Sequence, residues 1–80
     1  MGITDFVIKR IYQLCKERNI TPNALSYMSG VSQSTVKSIL NKESKNPGIV
    51  TLKKLCDGLG ITLVQFFDTE EYYRLEQEIK

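Results

Sequence analysis

Apolar residues recur along this chain at helical spacing, and turn-forming residues separate the runs at short intervals. The first run predicts a helix over about residues 4–18. Its apolar stripe consists of Val7, Ile11, Leu14 and Cys15, widened by Ile8 and Tyr12. Strand-like alternation is not sustained anywhere in the sequence. The pattern therefore predicts an all-α fold.

Two short helices joined by a sharp turn are predicted within residues 20–41. Thr21 can cap the first of them, with Pro22 at the first helical position, where a missing N–H costs nothing. Gly30 suits the left-handed residue that ends a helix, and Ser32 can cap the helix that follows. The apolar sets of the two helices are Ala24, Leu25 and Met28, then Val36, Ile39 and Leu40.

A polar loop over residues 41–48, which contains the turn sequence Asn-Pro-Gly, leads to two further helices. The fourth helix is predicted over about residues 49–59, and its apolar face consists of Leu52, Leu55, Cys56 and Leu59. Thr62 and Gln65 form a capping-box pair that opens a short fifth helix ending near residue 67. Five such helices can share one core.

The terminal segment, residues 69–80, is predicted to be a helical extension of a domain over residues 1–68. Asp68 and Glu71 are a possible capping pair for this extension. One of its faces is apolar and consists of Tyr72, Leu75 and Ile79. Two alternatives stay open for that face: contact between the copies of a dimer, or packing back onto the monomer near residues 66–67.

The length and composition restrict which classes of function this chain can have. A chain of 80 residues can bury one small core but cannot form a substrate cleft between domains. Since there is no His, no glycine-rich phosphate loop and no pair of carboxylates, we expect neither an enzyme nor a cofactor. We interpret Cys15 and Cys56 as buried free thiols rather than a disulfide or metal site. No apolar run reaches the ~18 residues of a membrane span, and no signal sequence is evident, which favours a cytoplasmic protein.

The net charge of +2 is unevenly distributed. Residues 1–60 carry nine Lys and Arg against four Asp and Glu, a net charge of +5, whereas residues 61–80 carry two against five, a net charge of −3. The basic part contains the predicted helix-turn-helix. A basic surface is typical of proteins that bind phosphate, although solvated lysines are common on any helical protein.

The third helix, predicted over about residues 33–41, places hydrogen-bonding side chains opposite its apolar set. These side chains are Gln33, Ser34, Lys37, Ser38 and Asn41. They offer donors and acceptors with one positive charge, and such a face can read base edges in the major groove of DNA.

Taken together, these features resemble the phage lambda repressor and Cro family of helix-turn-helix DNA-binding domains, the XRE-type transcriptional regulators. The resemblance covers about residues 7–67. It is carried by an ordered set of runs: Leu25 to the hinge Gly30-Val31-Ser32, then Ser34-Thr35-Val36, Ile39-Leu40-Asn41-Lys42, Lys45-Asn46-Pro47 followed by Thr51-Leu52, and Leu59-Gly60-Ile61 running to Phe66-Phe67. It implies a compact five-helix lambda-repressor-like domain, here followed by a short C-terminal helix.

The resemblance also implies which residues meet DNA, because in that family the third helix lies in the major groove. The implied base-reading residues are Gln33, which can pair with adenine, Ser34, Lys37, which can reach guanine, and Ser38. The implied phosphate contacts are Asn23, Thr35, Asn41, Lys42 and Lys45.

Two features depart from the usual family pattern. Pro22 stands where many members have a Gln that holds the DNA backbone, so that contact is absent or is supplied by Asn23. Cys15 and Leu40 stand where many members have a buried ion pair between Arg and Glu. Apolar replacement of a buried ion pair is often neutral or stabilising, and we predict that Cys15 and Leu40 touch across the core.

The function that the resemblance implies is a sequence-specific, non-catalytic transcriptional regulator, a repressor that occupies double-stranded DNA. One recognition helix reads only a few base pairs, so we expect a homodimer on inverted half-sites. No small-molecule ligand is indicated. The alternative is a protein-interaction module on the same fold, such as an antitoxin-like regulator.

Overall fold

A computed structural model describes residues 1–43 and 46–79 and contains only helices and connecting segments in these ranges. The helices are α1 (Ile3–Glu17), α2 (Pro22–Ser29), α3 (Gln33–Leu40), α4 (Ile49–Leu59), α5 (Leu63–Phe67) and α6 (Glu70–Tyr73). The predicted all-α fold, five helices followed by a short C-terminal helix, is confirmed. None of the helices in the described ranges has both the length and the apolar character that crossing a membrane requires.

Side-chain caps define where the short helices begin. Thr21 Oγ1 accepts a hydrogen bond from the Ala24 N–H at 3.1 Å. Thr62 Oγ1 accepts from the Gln65 N–H at 3.0 Å while Gln65 Oε1 accepts from the Thr62 N–H at 2.8 Å. These bonds satisfy amides that have no acceptor within their own helix. Both predicted caps are confirmed.

The core lies where the apolar faces of α1 to α5 meet. Its buried apolar members are Phe6, Val7, Ile11, Leu14, Cys15, Leu25, Val31, Val36, Ile39, Leu52, Leu55, Cys56, Leu59 and Phe66. Cys15 belongs to this core and Leu40 packs against it. The direct contact between these two side chains stays a prediction.

The two cysteines are buried free thiols, as interpreted from the sequence. Burial raises the pKa of both Cys15 and Cys56, because a thiolate loses hydration among apolar neighbours. In the described part of the chain, no group of three or more Cys, Asp or Glu side chains is arranged to hold a metal ion.

The second helix packs against α4 through small side chains. Ser26 is 3% exposed, whereas Met28, a member of the apolar set named from the sequence, is 52% exposed. The face of α2 that meets α4 instead includes Ser29, which lies against Gly58. The Ser26 hydroxyl donates to the Asn23 carbonyl at 2.6 Å, so it is buried without an unmade hydrogen bond.

Two arginines, one within α1 and one at its C-terminal cap, donate hydrogen bonds to carbonyls at the C-terminal ends of other helices. Arg10 Nε donates to the Phe66 carbonyl at 2.7 Å, and its Nη2 donates to the Gln65 carbonyl at 3.0 Å. Arg18 Nε donates to the Leu59 carbonyl at 2.9 Å. A guanidinium satisfies carbonyls that have no donor at a helix C-terminus and interacts favourably with the helix dipole. These charges therefore stabilise α5 and α4.

The terminal segment differs from the predicted helical extension over residues 69–80. Helix α6 covers only Glu70–Tyr73, and its N-cap is Thr69 rather than Asp68. Beyond the helix Leu75 packs against the core, and its N–H donates to the Tyr72 carbonyl three residues back. Ile79, predicted to share that face, is exposed.

The apolar face of this segment packs back onto the same chain. The Tyr72 ring lies 5.9 Å from that of Phe6 and 5.4 Å from that of Phe67, measured between ring centroids. The N-terminal amine forms an ion pair with Glu76 at 3.1 Å. Of the two alternatives, the structure therefore favours packing on the monomer for Tyr72 and Leu75.

Candidate nucleic-acid interface

The turn between α2 and α3 holds the two helices in a fixed relation. Gly30 adopts the left-handed conformation (φ 71°, ψ 16°) that few side chains tolerate, and it ends α2. Val31 is buried beneath the turn. Ser32 Oγ then accepts from the Thr35 N–H at 3.2 Å and opens α3. The hinge and cap predicted from the sequence are confirmed.

Helix α3 has one buried and one exposed face. Val36 and Ile39 are buried, and Leu40 is half-buried. Five residues predicted to read bases or contact phosphate are exposed on α3 and its C-cap: Gln33, Ser34, Thr35, Lys37 and Asn41. Ser38 is half-buried, so less of its hydroxyl surface is accessible than that of the others. A helix with this division can be held by the domain while its outer face contacts a partner.

A groove of about 510 Å³ runs along this face between α1, the start of α2 and α3. It is lined by Tyr12, Pro22, Asn23, Gln33, Ser34, Val36, Lys37, Leu40 and Asn41. The structure thus brings together three predicted base readers and two predicted phosphate contacts. Ser38, Thr35 and Lys42 do not line this groove.

The predicted phosphate contacts have different surroundings. Asn23 lies in the first turn of α2, where an amide N–H lacks an acceptor within the helix. Asn41 Nδ2 lies 3.5 Å from a Glu43 carboxylate oxygen. Thr35 Oγ1 accepts a hydrogen bond from Ser32 Oγ at 2.8 Å. The predicted contact Lys45 lies outside the described residues.

Lys42 is held by an acidic residue of α1. Its ammonium lies 2.8 Å from Asp5 Oδ1. The hydrogen bond from Lys42 and its positive charge lower the pKa of Asp5. Phosphate would therefore compete with this carboxylate for the Lys42 ammonium.

The positive charge of the basic part is largely committed to contacts within the fold. Lys9 pairs with Glu71 and Lys53 pairs with Asp57. Lys42 and the two capping arginines are engaged as described above. Among the described residues, the lysines without an ion pair are Lys16, Lys37 and Lys54. Of these three, Lys37 lines the groove.

Two tyrosines of this surface were not identified from the sequence as site residues. Tyr12 was assigned to the edge of the α1 stripe but is half-exposed and lines the groove. Tyr27 is exposed, and its hydroxyl accepts a hydrogen bond from Gln33 Nε2 at 3.1 Å. The available signal was that Tyr27 falls outside the apolar set of α2 and lies three residues before the hinge at Gly30.

The fold and the exposed face of α3 together define a helix-turn-helix DNA-binding domain. The chain belongs to the Cro/C1-type helix-turn-helix DNA-binding domain family, whose model matches residues 10–71. Among solved structures it is similar to the crystal structure of the prophage Lp1 protein 11, with 34% sequence identity and a TM-score of 0.81. That similarity covers 94% of this chain and 100% of the other. No curated protein matches the chain.

Proposed function

We propose that this protein is a sequence-specific transcriptional regulator, a repressor that occupies an inverted-repeat operator as a homodimer. The observation that carries the proposal is the exposed polar face of α3, where Gln33, Ser34 and Lys37 line one groove beside the start of α2. A Cro/C1-type helix-turn-helix domain with such a face can bring base-reading and phosphate-binding groups to the same duplex.

Base reading is assigned to the side chains on that face. Gln33 can pair with adenine, Lys37 can donate to guanine, and Ser34 can serve donor or acceptor bases. Ser38 contributes less to base reading than these three residues, since it is half-buried. Lys37 is the groove lysine with no ion pair among the described residues, so its ammonium can bind DNA without breaking such a pair.

Backbone binding is assigned to both ends of the groove. Asn23 stands at the start of α2, where the helix dipole and the N–H of Asn23 favour an anion. Asn41 stands at the end of α3, followed by Lys42. Because Pro22 has no N–H and no amide side chain, Asn23 supplies the contact at this position. Thr35 Oγ1 accepts from Ser32, and this bond leaves the Thr35 O–H as a donor for a phosphate oxygen.

The dimer follows from the amount of sequence that one helix can read. A single recognition helix contacts only a few base pairs, and a two-fold dimer doubles the site with half-sites ~34 Å apart. Because Tyr72 and Leu75 are used within the monomer, the dimer contact would involve other exposed apolar side chains, such as Val64 and Ile79.

The deciding experiment selects bound sequences from random duplex DNA with the full chain, followed by binding measurements over a range of salt concentrations. We expect an enriched inverted repeat and an affinity that falls steeply with salt as phosphate-bound counterions are displaced. Sedimentation of the complex should show two protein chains per site. Failure to bind any duplex in a salt-dependent manner would instead favour the protein-interaction module.

A further inference from the structure

A hydrogen bond joins the first residue of the recognition helix to the helix before it. Gln33 Nε2 donates to the Tyr27 hydroxyl at 3.1 Å. Tyr27 is 78% exposed, so this bond lies on the surface. A glutamine side chain on a surface samples many rotamers, and a partner at its end restricts that freedom before a ligand arrives.

Both ends of this bond stand on fixed backbone. The residues before Tyr27, Leu25 and Ser26, are buried, which anchors this turn of α2. Gln33 follows the Ser32 cap and is therefore held at the start of α3. The distance between the two side chains is thus set by the domain rather than by a flexible loop.

The direction of the bond decides what Gln33 can read. The amide nitrogen has two hydrogens, and donating one to Tyr27 leaves one N–H donor and the Oε1 acceptor. Adenine presents an acceptor at N7 and a donor at N6 in the major groove, which complements that pair. The opposite orientation, with the phenol donating to Oε1, would leave both N–H donors and one Oε1 lone pair, so the amide would no longer favour adenine over the O6 and N7 acceptors of guanine.

We propose that Tyr27 is a specificity-determining positioning residue that sets the Gln33 amide to read adenine. This inference rests on the proposed function, because it assigns a base preference within the same DNA-binding face. Tyr27 acts through Gln33 and need not touch the base. The base pair in question is the one whose preference is lost in Gln33→Ala.

Tyr27→Phe tests the inference, since it removes only an exposed hydroxyl. Competition binding with duplexes that vary at the Gln33 base pair should show an A·T preference for the unmodified protein. In Tyr27→Phe that preference should fall by about 3- to 10-fold, the effect of one net hydrogen bond. Preferences at other positions and affinity for unrelated duplex DNA should not change. In a Gln33→Ala background, Tyr27→Phe should have no further effect.

Tyr73→Phe is the matched control. Tyr73 is 73% exposed, and its hydroxyl donates to Asp68 at 3.1 Å, so the same atom is removed from a bond of the same length. It lies in α6, outside the groove. We expect unchanged base preference in this variant and unchanged thermal unfolding in both.

An NMR measurement on the free protein tests the bond separately from DNA binding. The two Gln33 side-chain amide protons should differ in solvent exchange, and Tyr27→Phe should remove the difference. A G·C preference at the Gln33 position, or a DNA-binding protein indifferent to Tyr27→Phe, would overturn this inference alone. Absence of any salt-dependent duplex binding would overturn the proposed function and this inference with it.

Discussion

A Cβ atom added to Gly58 would lie 2.9 Å from the Cα atom of Ser29. The contact is with backbone, which cannot move aside as a flexible side chain can. Helices α2 and α4 therefore approach closely because residue 58 has no side chain. Since α2 leads directly into the turn before α3, this contact also affects where α3 projects.

Gly58→Ala should destabilise the domain. Overpacking costs about 1–3 kcal/mol, and alanine regains about 1 kcal/mol over glycine in a helix, so the net loss of unfolding free energy should be up to about 2 kcal/mol. Urea unfolding measures it. Gly48→Ala is the control, because nothing lies within 4 Å of a Cβ built there; its effect should stay below about 1 kcal/mol. A stabilised Gly58→Ala protein would contradict the close approach.

Lys37→Ala should alter base preference rather than only affinity. Loss of a base contact is expected to cost about 1–3 kcal/mol at one operator position, measured by competition between single-base variants of the selected site. Lys54→Ala removes an exposed α4 lysine that likewise has no ion pair among the described residues. It should leave base preference unchanged. If the two substitutions behave alike, Lys37 is not a base reader.

Asp5→Asn should strengthen binding to every duplex sequence. It removes the carboxylate that holds Lys42 and frees the ammonium for phosphate, so the salt dependence should steepen by up to about one released counterion. Filter binding at several salt concentrations measures both effects. Asp68→Asn removes an equal charge from the C-cap of α5 and should change affinity less.

The same ion pair gives a pH dependence of stability. Because the Asp5 pKa is lowered from 3.8, the pair stabilises the domain above that value, and its contribution disappears as the pH falls through the folded-state pKa. Asp5→Asn should therefore flatten the acid limb of the unfolding curve. An acid limb identical to that of the unmodified protein would mean that the pair has no effect on folding.

Arg10→Ala should lower the unfolding free energy by about 1.5–3 kcal/mol, the range for hydrogen bonds to a charged group. The loss arises because the Phe66 and Gln65 carbonyls at the end of α5 lose their donor. Lys16→Ala, an exposed change on the same helix, should have little effect on thermal unfolding. Equal destabilisation by both would argue against the capping role of Arg10.

Cys15 and Cys56 should resist alkylation in the folded protein and react rapidly in urea. Burial raises the pKa of both thiols above 9.0, so the reactive thiolate is scarce in the native state. By linkage, their contribution to stability is complete below the unfolded-state pKa and is lost as the pH rises through the folded-state value. A Cys15→Ala, Cys56→Ala double variant should show a shallower loss of stability above about pH 9.

The positions of α1 to α5 were determined by the sequence, because they depend on local interactions. The spacing of apolar residues, the Thr21, Ser32 and Thr62 caps and the left-handed Gly30 act within one or two helical turns. They identify the helix-turn-helix and the polar face of α3 without knowledge of the remaining fold.

Only the tertiary structure decided which side chains meet across helices. The crossing of α2 over α4 buried Ser26 and exposed Met28, although hydrophobicity favoured the reverse. In the sequence, Arg10 contributes to the basic charge that would attract DNA. In the structure it instead donates to the carbonyls of Gln65 and Phe66, which are 55 and 56 residues away along the chain. The bond from Gln33 to Tyr27 likewise depends on the angle at the hinge. These relations depend on how helices are oriented in space, which apolar periodicity alone does not determine.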